Sequence, residues 1–576
     1  MLSSATLHYK NSIALLCSAL LTALFLFAPL YYQPNLGGIG LNLTFNIAVW
    51  GVASFLIGTG IYLIAATQRF IRPINTWAYL VFPVVIILSG IIAASSQPIP
   101  WFFRQIYVIG GILFLFALFQ FNIKQQQIER TLYVVVASTF INTLMAIIQI
   151  FSPELIQGWM ATYNNHPVGV FQQVNVLSSY LATSIIISFY LISRPSINSA
   201  AITTKAFLIT HIGSSAFIIT YIGSRSGVLS AAIGILILFI SRRQQLTKKA
   251  MLTLIALGAL LGGAIPGGTI EGGFKQLSQK SIDATKGTGS SARIGIYSVT
   301  LELIAQKPGA GHGIGNFQRV WNLQASDYYL RNPDTKLPFD VEHPHNELAY
   351  WLIEGGIISV AGIVIAFGAI ILTLIRCGLN RGGSYTALLT PITIHAQVEQ
   401  PFYLSSLHWF LWLFLIFLAL RHRTINSTVP LSLAATRAIK VSAILGCIGS
   451  SYFLIHTARA QADIHAYKTK QENRAPYLQV ALNNLYFKSY AEELAMRNML
   501  YSSRLDKNTE QVHRFIQWAE QRNNINPNFF IFQDLVNAYG FLGLKDERCK
   551  TIHAVAMLQP TNERLKTADY ACKNSK

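Results

Sequence analysis

Apolar runs long enough to cross a bilayer recur along most of the sequence. A helix needs about 20 such residues to span the hydrocarbon core. Runs that reach or approach this length fall near 12–30, 44–66, 76–95, 105–121, 131–150, 174–192, 206–222, 227–240, 250–265, 348–375, 384–399, 407–420 and 439–457. The run at 384–399 is short and carries His395, Gln397 and Glu399. The expectation is an all-α polytopic membrane protein of about thirteen transmembrane helices. Of the 576 residues, 52% are hydrophobic and only 12% charged, roughly half the charged share of a soluble domain. The first run lacks a clear small-residue cleavage pattern and is read as a span, not a signal peptide.

A formal net charge of +20 raises the question of nucleic acid, but the distribution of the charge argues against it. Arg69 and Arg72, Lys124 and Arg130, Arg194 and Lys205, then Arg242, Arg243, Lys248 and Lys249 sit in alternate loops. Arg376 and Arg381, then Arg421, Arg423, Arg437 and Lys440, continue the series. The short loops between hold almost no basic residues apart from Arg104 and Arg225. This asymmetry places the basic loops and the N-terminus in the cytoplasm of a cell with an inner membrane, and the C-terminus outside, in the periplasm. Four regions follow: an N-terminal bundle (1–265), a large outer loop (266–347), further spans (348–457) and an outer helical tail (458–576). Within the tail, Asn526 to Pro560 has the length of a tetratricopeptide-like helix pair, with Leu535, Ala538, Tyr539, Gly540, Ala554 and Pro560 in fitting places.

No zinc, P-loop or dinucleotide pattern occurs, so neither metal nor nucleotide cofactor is expected. Cys17, Cys377 and Cys447 lie in or beside apolar runs. Cys549 and Cys572 are the only cysteines of the tail. An oxidising outer compartment would join them in a disulfide, the alternative being two buried thiols.

Candidate chemistry concentrates in the outer segments. His345 precedes Asn346 and an apolar helix. An imidazole titrates near neutrality and can take a proton from a hydroxyl. A loop histidine can equally serve the end of the helix, with Asn346 as its cap, and His343 competes for either role. Arg225 in a tight turn and Arg293 oppose the positive-inside bias. A guanidinium can grip a diphosphate with paired hydrogen bonds, or bond lipid headgroups at the interface. Gln172 and Gln173, in a loop that also carries Tyr163 and His166, lead with Asn175 into the sixth run. Their amides suit sugar hydroxyls or neighbouring helices. Glu399 ends a weak span, where an acid is a functional candidate. The glycine-rich run Lys307–Phe317 follows a helical segment, not a strand, and reads as backbone ordering the loop before the histidine.

The order of these features is familiar. Arg225, Arg293 with Tyr297, and Pro308, Gly311, Gly313, Gly315 and Phe317 precede His345-Asn346-Glu347-Leu348, Trp351 and Glu354-Gly355-Gly356. Over roughly residues 200–420 the sequence resembles the O-antigen ligase and polymerase superfamily with its Wzy-C type core. Gln173 with Asn175, Glu399-Gln400-Pro401-Phe402-Tyr403 and His408-Trp409 make it most similar to the PglL-like protein O-oligosaccharyltransferases. The resemblance implies a GT-C-like membrane glycosyltransferase without cofactor or metal. It would move an oligosaccharide from undecaprenyl diphosphate to Ser or Thr of a periplasmic, pilin-like protein. His345 would be catalytic and Arg225 and Arg293 would bind the donor diphosphate. Gln173, Asn175, His343, Glu399 and Tyr403 are candidate substrate contacts. The same parts would serve a ligase or polymerase acting on a glycolipid. A non-enzymatic transporter of lipid-linked glycans is the third reading, but transporters place polar sites at the midplane, whereas these polar residues concentrate in the outer loops.

Overall fold

The structure, a computed structural model, describes residues 4–93, 97–156, 166–278, 291–335, 337–338, 341–470 and 475–574; Tyr163 lies outside them. It is 81% helical, an all-α polytopic membrane protein. Among the described residues ten helices are long and apolar enough to cross a membrane. They are α1 (Ser4–Thr22, helical on to Leu30), α2 (Thr44–Thr67), α4 (Pro98–Gln120), α5 (Gln125–Phe151), α6 (Val174–Ser193), α7 (Ile202–Ile222), α8 (Arg225–Thr247), α9 (Ala250–Thr269), α12 (Glu347–Arg376) and α15 (Leu433–Thr469). Two shorter apolar helices, α3 (Thr76–Ile92) and α14 (Ser406–Leu420), join them. The weak run at 384–399 forms α13 (Ser384–Ala396), 13 residues long. The glycine-rich region between α9 and α12 contains α10 (Ser291–Gln306) and α11 (Phe317–Arg331).

The described chain divides into two compact units. The first comprises residues up to Phe82, Tyr107–Ser281 and Ile363–His465. Its centre is α6, whose membrane-length window is wholly buried among α5, α7, α8 and α13. A helix buried on all sides can carry small polar groups if each finds a partner. Here Ser184 and Ser188 of α6, Thr139 of α5 and Ser215 of α7 surround the buried His211 ring at 2.9–3.2 Å.

Contacts at the two ends of this unit sort the loops. At one end Arg69–Pro73 pairs antiparallel with Thr424–Thr428, Arg69 facing Thr428. At the same end Arg421 bonds Gln125 and the Ile123 carbonyl, Arg194 bonds Glu129 at 2.8 Å, and Arg242 bonds Ser384 at 2.8 Å. At the other end Gln33 bonds Gln461 at 2.7 Å, Asn46 reaches the Leu404 carbonyl, and Gln173 and Asn175 meet Glu399. The first group is the arginine-rich set of loops. Short as it is, α13 connects the two ends, with Ser384 in one group and Glu399 in the other.

The second unit comprises Pro83–Ile106, Ile282–Gly362 and Ala466 onward. Its tail holds α16 (Lys488–Leu505), α17 (Thr509–Ile525), α18 (Phe529–Phe541), α19 (Lys545–Leu558) and α20 (Glu563–Asn574). Asn528 caps α18 through bonds from Phe530 N and Ile531 N, and Gly543, at φ +71°, turns the chain into α19. Leu500, Val512, Phe515, Ala519, Ile531, Leu535, Ala538 and Tyr539 form one core, so α18, the first helix of the pair read from the sequence, packs on α16 and α17. On α19, Val555 and Ala556 are buried and Ala554 is exposed. A disulfide joins Cys549 of α19 to Cys572 of α20. Ser326 of α11 bonds the Leu558 carbonyl at 2.9 Å, which fastens the tail to α11.

Candidate active site

The start of α12 shows how its sequence divides its tasks. The Asn346 side chain accepts from Ala349 N at 2.9 Å, which is the bond an N-cap makes. Capping is therefore the work of Asn346. The half-buried His345 stands just before it at φ +58°, a left-handed conformation that costs a non-glycine residue about 1–2 kcal/mol. Its backbone N–H donates to His343 Nδ1 at 2.9 Å. The His343 ring is buried, 2% exposed, with its Nε2 3.7 Å from a Glu347 oxygen and its face 4.5 Å from the Tyr350 ring. The other Glu347 oxygen accepts from Trp351 Nε1 at 3.0 Å.

One turn further on, Glu354 is completely buried. Its Oε1 accepts from Gly315 N at 3.0 Å and Phe317 N at 3.2 Å, so it caps the start of α11. Arg104 of α4 lies 3.6 Å from the other oxygen, bonds the Tyr350 hydroxyl and sits 4.5 Å over the Tyr350 ring. The glycine-rich run docks on the same helix. His312 N and Gly313 N donate to the Ile353 and Glu354 carbonyls, and Ile357 N donates to the Pro308 carbonyl. That contact requires α12 to break at Gly356, whose φ of +62° and ψ of −167° are non-helical. A Cβ there would stand 2.0 Å from the Gly309 carbonyl oxygen. Burial holds the His312 imidazole below its ordinary pKa, and its Nε2 bonds the Leu303 carbonyl at 2.8 Å. Arg293 belongs to this unit, in the first turn of α10.

The first unit carries a second polar group. Glu399, just beyond α13, receives Gln173 Nε2 at 2.9 Å and Asn175 Nδ2 at 2.6 Å, with His395 Nε2 at 3.4 Å. The chain of contacts continues inward from His395 Nδ1 to Ser179 (2.8 Å), on to His408 (3.2 Å) and then Ser405 (2.8 Å). Ser224 caps α8 and donates to Asn175 Oδ1 at 2.9 Å, which fixes the turn bearing Arg225, an exposed first residue of α8. Tyr403 stacks at 6.2 Å on Tyr107. Gln173, Asn175 and Glu399 are thus brought together, and the two amides bond the carboxylate between them. The sequence reading missed the roles of Arg104, Glu354 and His395; the only signal for Arg104 was that it broke the charge rule.

Comparison with protein families gives three matches. Residues 211–378 match the O-antigen ligase model, and 385–570 match the C-terminal model of a virulence factor membrane-bound polymerase. Residues 167–192 match the protein glycosylation ligase model. These matches support a PglL-like member of the O-antigen ligase superfamily. The comparison with curated proteins returns no match. Arg225, Arg293, His343, His345 and Glu354 of this ligase fall inside the O-antigen ligase match, and Gln173 and Asn175 inside the glycosylation ligase match. Glu399, Tyr403 and most of the helical tail lie in the polymerase-type match, while Arg104 precedes all three. The ligase families imply a ligase-type transferase with a lipid-linked glycan donor and a protein or glycolipid acceptor.

Proposed function

We propose that this ligase transfers an oligosaccharide from undecaprenyl diphosphate to Ser or Thr hydroxyls of periplasmic proteins such as a pilin. The observation that carries the reading is the division of labour at α12. Asn346 caps the helix, so a histidine held at positive φ beside it needs another reason, and general base catalysis supplies one. The acceptor oxygen attacks the anomeric carbon, the bond from sugar to diphosphate breaks, and His345 takes the hydroxyl proton. Undecaprenyl diphosphate leaves with the bonding electrons. Arg225 and Arg293 meet its growing negative charge. The donor already stores the energy, so the step needs no nucleotide. Mass spectrometry of periplasmic proteins from a strain lacking this chain tests the acceptor class. Loss of glycopeptides supports the reading, and an unchanged glycoproteome overturns it. The polymerase-type match over 385–570 favours, as a second reading, a glycolipid or growing glycan as acceptor; altered surface glycan with intact glycoproteins would select it.

Two further expectations follow. Arg293→Ala weakens binding of lipid-linked donor as well as turnover, because the arginine touches phosphate before reaction. Arg293→Lys restores only part, since a point charge lacks the paired fork. Donor binding measured separately from transfer checks both. The proposed orientation puts the loops after α6 and α8 in the cytoplasm. Reporter fusions after Ser193 and Arg242 then read cytoplasmic, and fusions within 275–340 and after Ala460 read periplasmic. A cytoplasmic tail would reverse the assignment of every site residue.

A further inference from the structure

His343 was a rival to His345 for the base, and its surroundings give it different work. It is buried, at 2% exposure, and each ring nitrogen faces a partner. Nδ1 accepts the His345 N–H at 2.9 Å. The proton of the neutral ring therefore belongs on Nε2, which faces Glu347 at 3.7 Å. Glu347 is held in turn by the Trp351 indole at 3.0 Å, and the Tyr350 ring lies against the imidazole. Left-handed backbone at a non-glycine residue persists only where the surroundings fix it. At His345 the fixing bond comes from a side chain two residues earlier, and that side chain lies against Glu347 and Tyr350 of α12.

We infer that His343 is a positioning residue for transfer, its Nδ1 holding the His345 backbone in the conformation from which the His345 ring reaches substrate. The inference rests on the reading of His345 as the base. Trp351 bonds Glu347, Glu347 faces His343 at 3.7 Å and His343 bonds the His345 backbone, and second-layer contacts of this kind orient catalytic groups in many enzymes.

The test uses the full-length enzyme, a synthetic undecaprenyl diphosphate disaccharide and a pilin subunit, with turnover normalised to folded protein. His343→Asn puts an amide oxygen where Nδ1 lies, whereas His343→Gln carries its oxygen to the place of Nε2. The Asn variant should keep kcat within about threefold of the parent, and the Gln variant should lose about tenfold, the equivalent of one lost hydrogen bond. The acceptor KM should stay unchanged in both. A purely structural role predicts equal losses in the two variants, reflected in folded yield. Equal kcat in the two overturns the inference. His345→Ala, assayed beside them, separates the two claims. If it is inactive while the His343 pair is equal, only the positioning role falls; if it turns over normally, the base assignment falls too.

Discussion

His345→Ala inserts, folds and binds lipid-linked donor, but its transfer rate falls by about 10²–10⁴-fold, the range typical of losing general base catalysis. The expectation follows from what the residue does and does not hold together. Its side chain takes no part in the cap of α12, which is the Asn346 bond to Ala349. Alanine at this site also removes less packing than at a fully buried position, because the residue is only half-buried. Stability should therefore change modestly while turnover collapses. A variant at Asn346 should do the reverse: Asn346→Ala loses the cap, at about 1 kcal/mol, and keeps His345. Thermal unfolding of the purified proteins, alongside transfer per folded molecule, separates the two.

Glu354→Ala destabilises the protein by about 3–5 kcal/mol, the cost of removing one partner from a buried ion pair. The carboxylate accepts two backbone bonds from Gly315 and Phe317 and faces Arg104, so its loss leaves the cation without its counter-charge and two N–H groups without their acceptor. Glu354→Gln keeps an acceptor oxygen for the backbone and loses only the charge, and should fall between. Loss of folded yield and a lowered unfolding midpoint are the readouts. An Ala variant as stable as the parent would mean that the backbone bonds between α12 and the glycine-rich run hold it without the carboxylate.

These sites differ in how far the sequence disclosed them, and distance along the chain explains the difference. Span positions were legible because apolar run length is a local property. The basic loops were legible for the same reason, and contacts in the first unit group them as the charges do. Invisible was the pairing of Arg69–Pro73 with Thr424–Thr428, two short segments without strand-like alternation, about 350 residues apart. His345, Asn346 and His343 stood out as residue types, but a bond from the backbone N–H of one to the side chain of another has no signature in spacing. Arg104 was visible only as a misplaced charge, since its partner Glu354 lies 250 positions away. Gly355 and Gly356 were legible as a motif, whereas the reasons, the approach of the Gly309–Gly311 backbone at Gly356 and of the Ser359 and Ser89 side chains at Gly355, are tertiary facts. The amides Gln173 and Asn175 offered two readings, sugar or neighbouring helix. The structure shows their bonds to Glu399.

The most direct test of glycan transfer to protein is reconstitution from purified parts. The full-length protein in detergent or lipid, undecaprenyl diphosphate-linked glycan and a pilin subunit are combined without nucleotide. The account predicts a glycosylated pilin with the sugar on Ser or Thr and release of undecaprenyl diphosphate, both lost in His345→Ala. Donor consumption with the glycan appearing only on lipid or on another glycan, or equal transfer by His345→Ala, would contradict it.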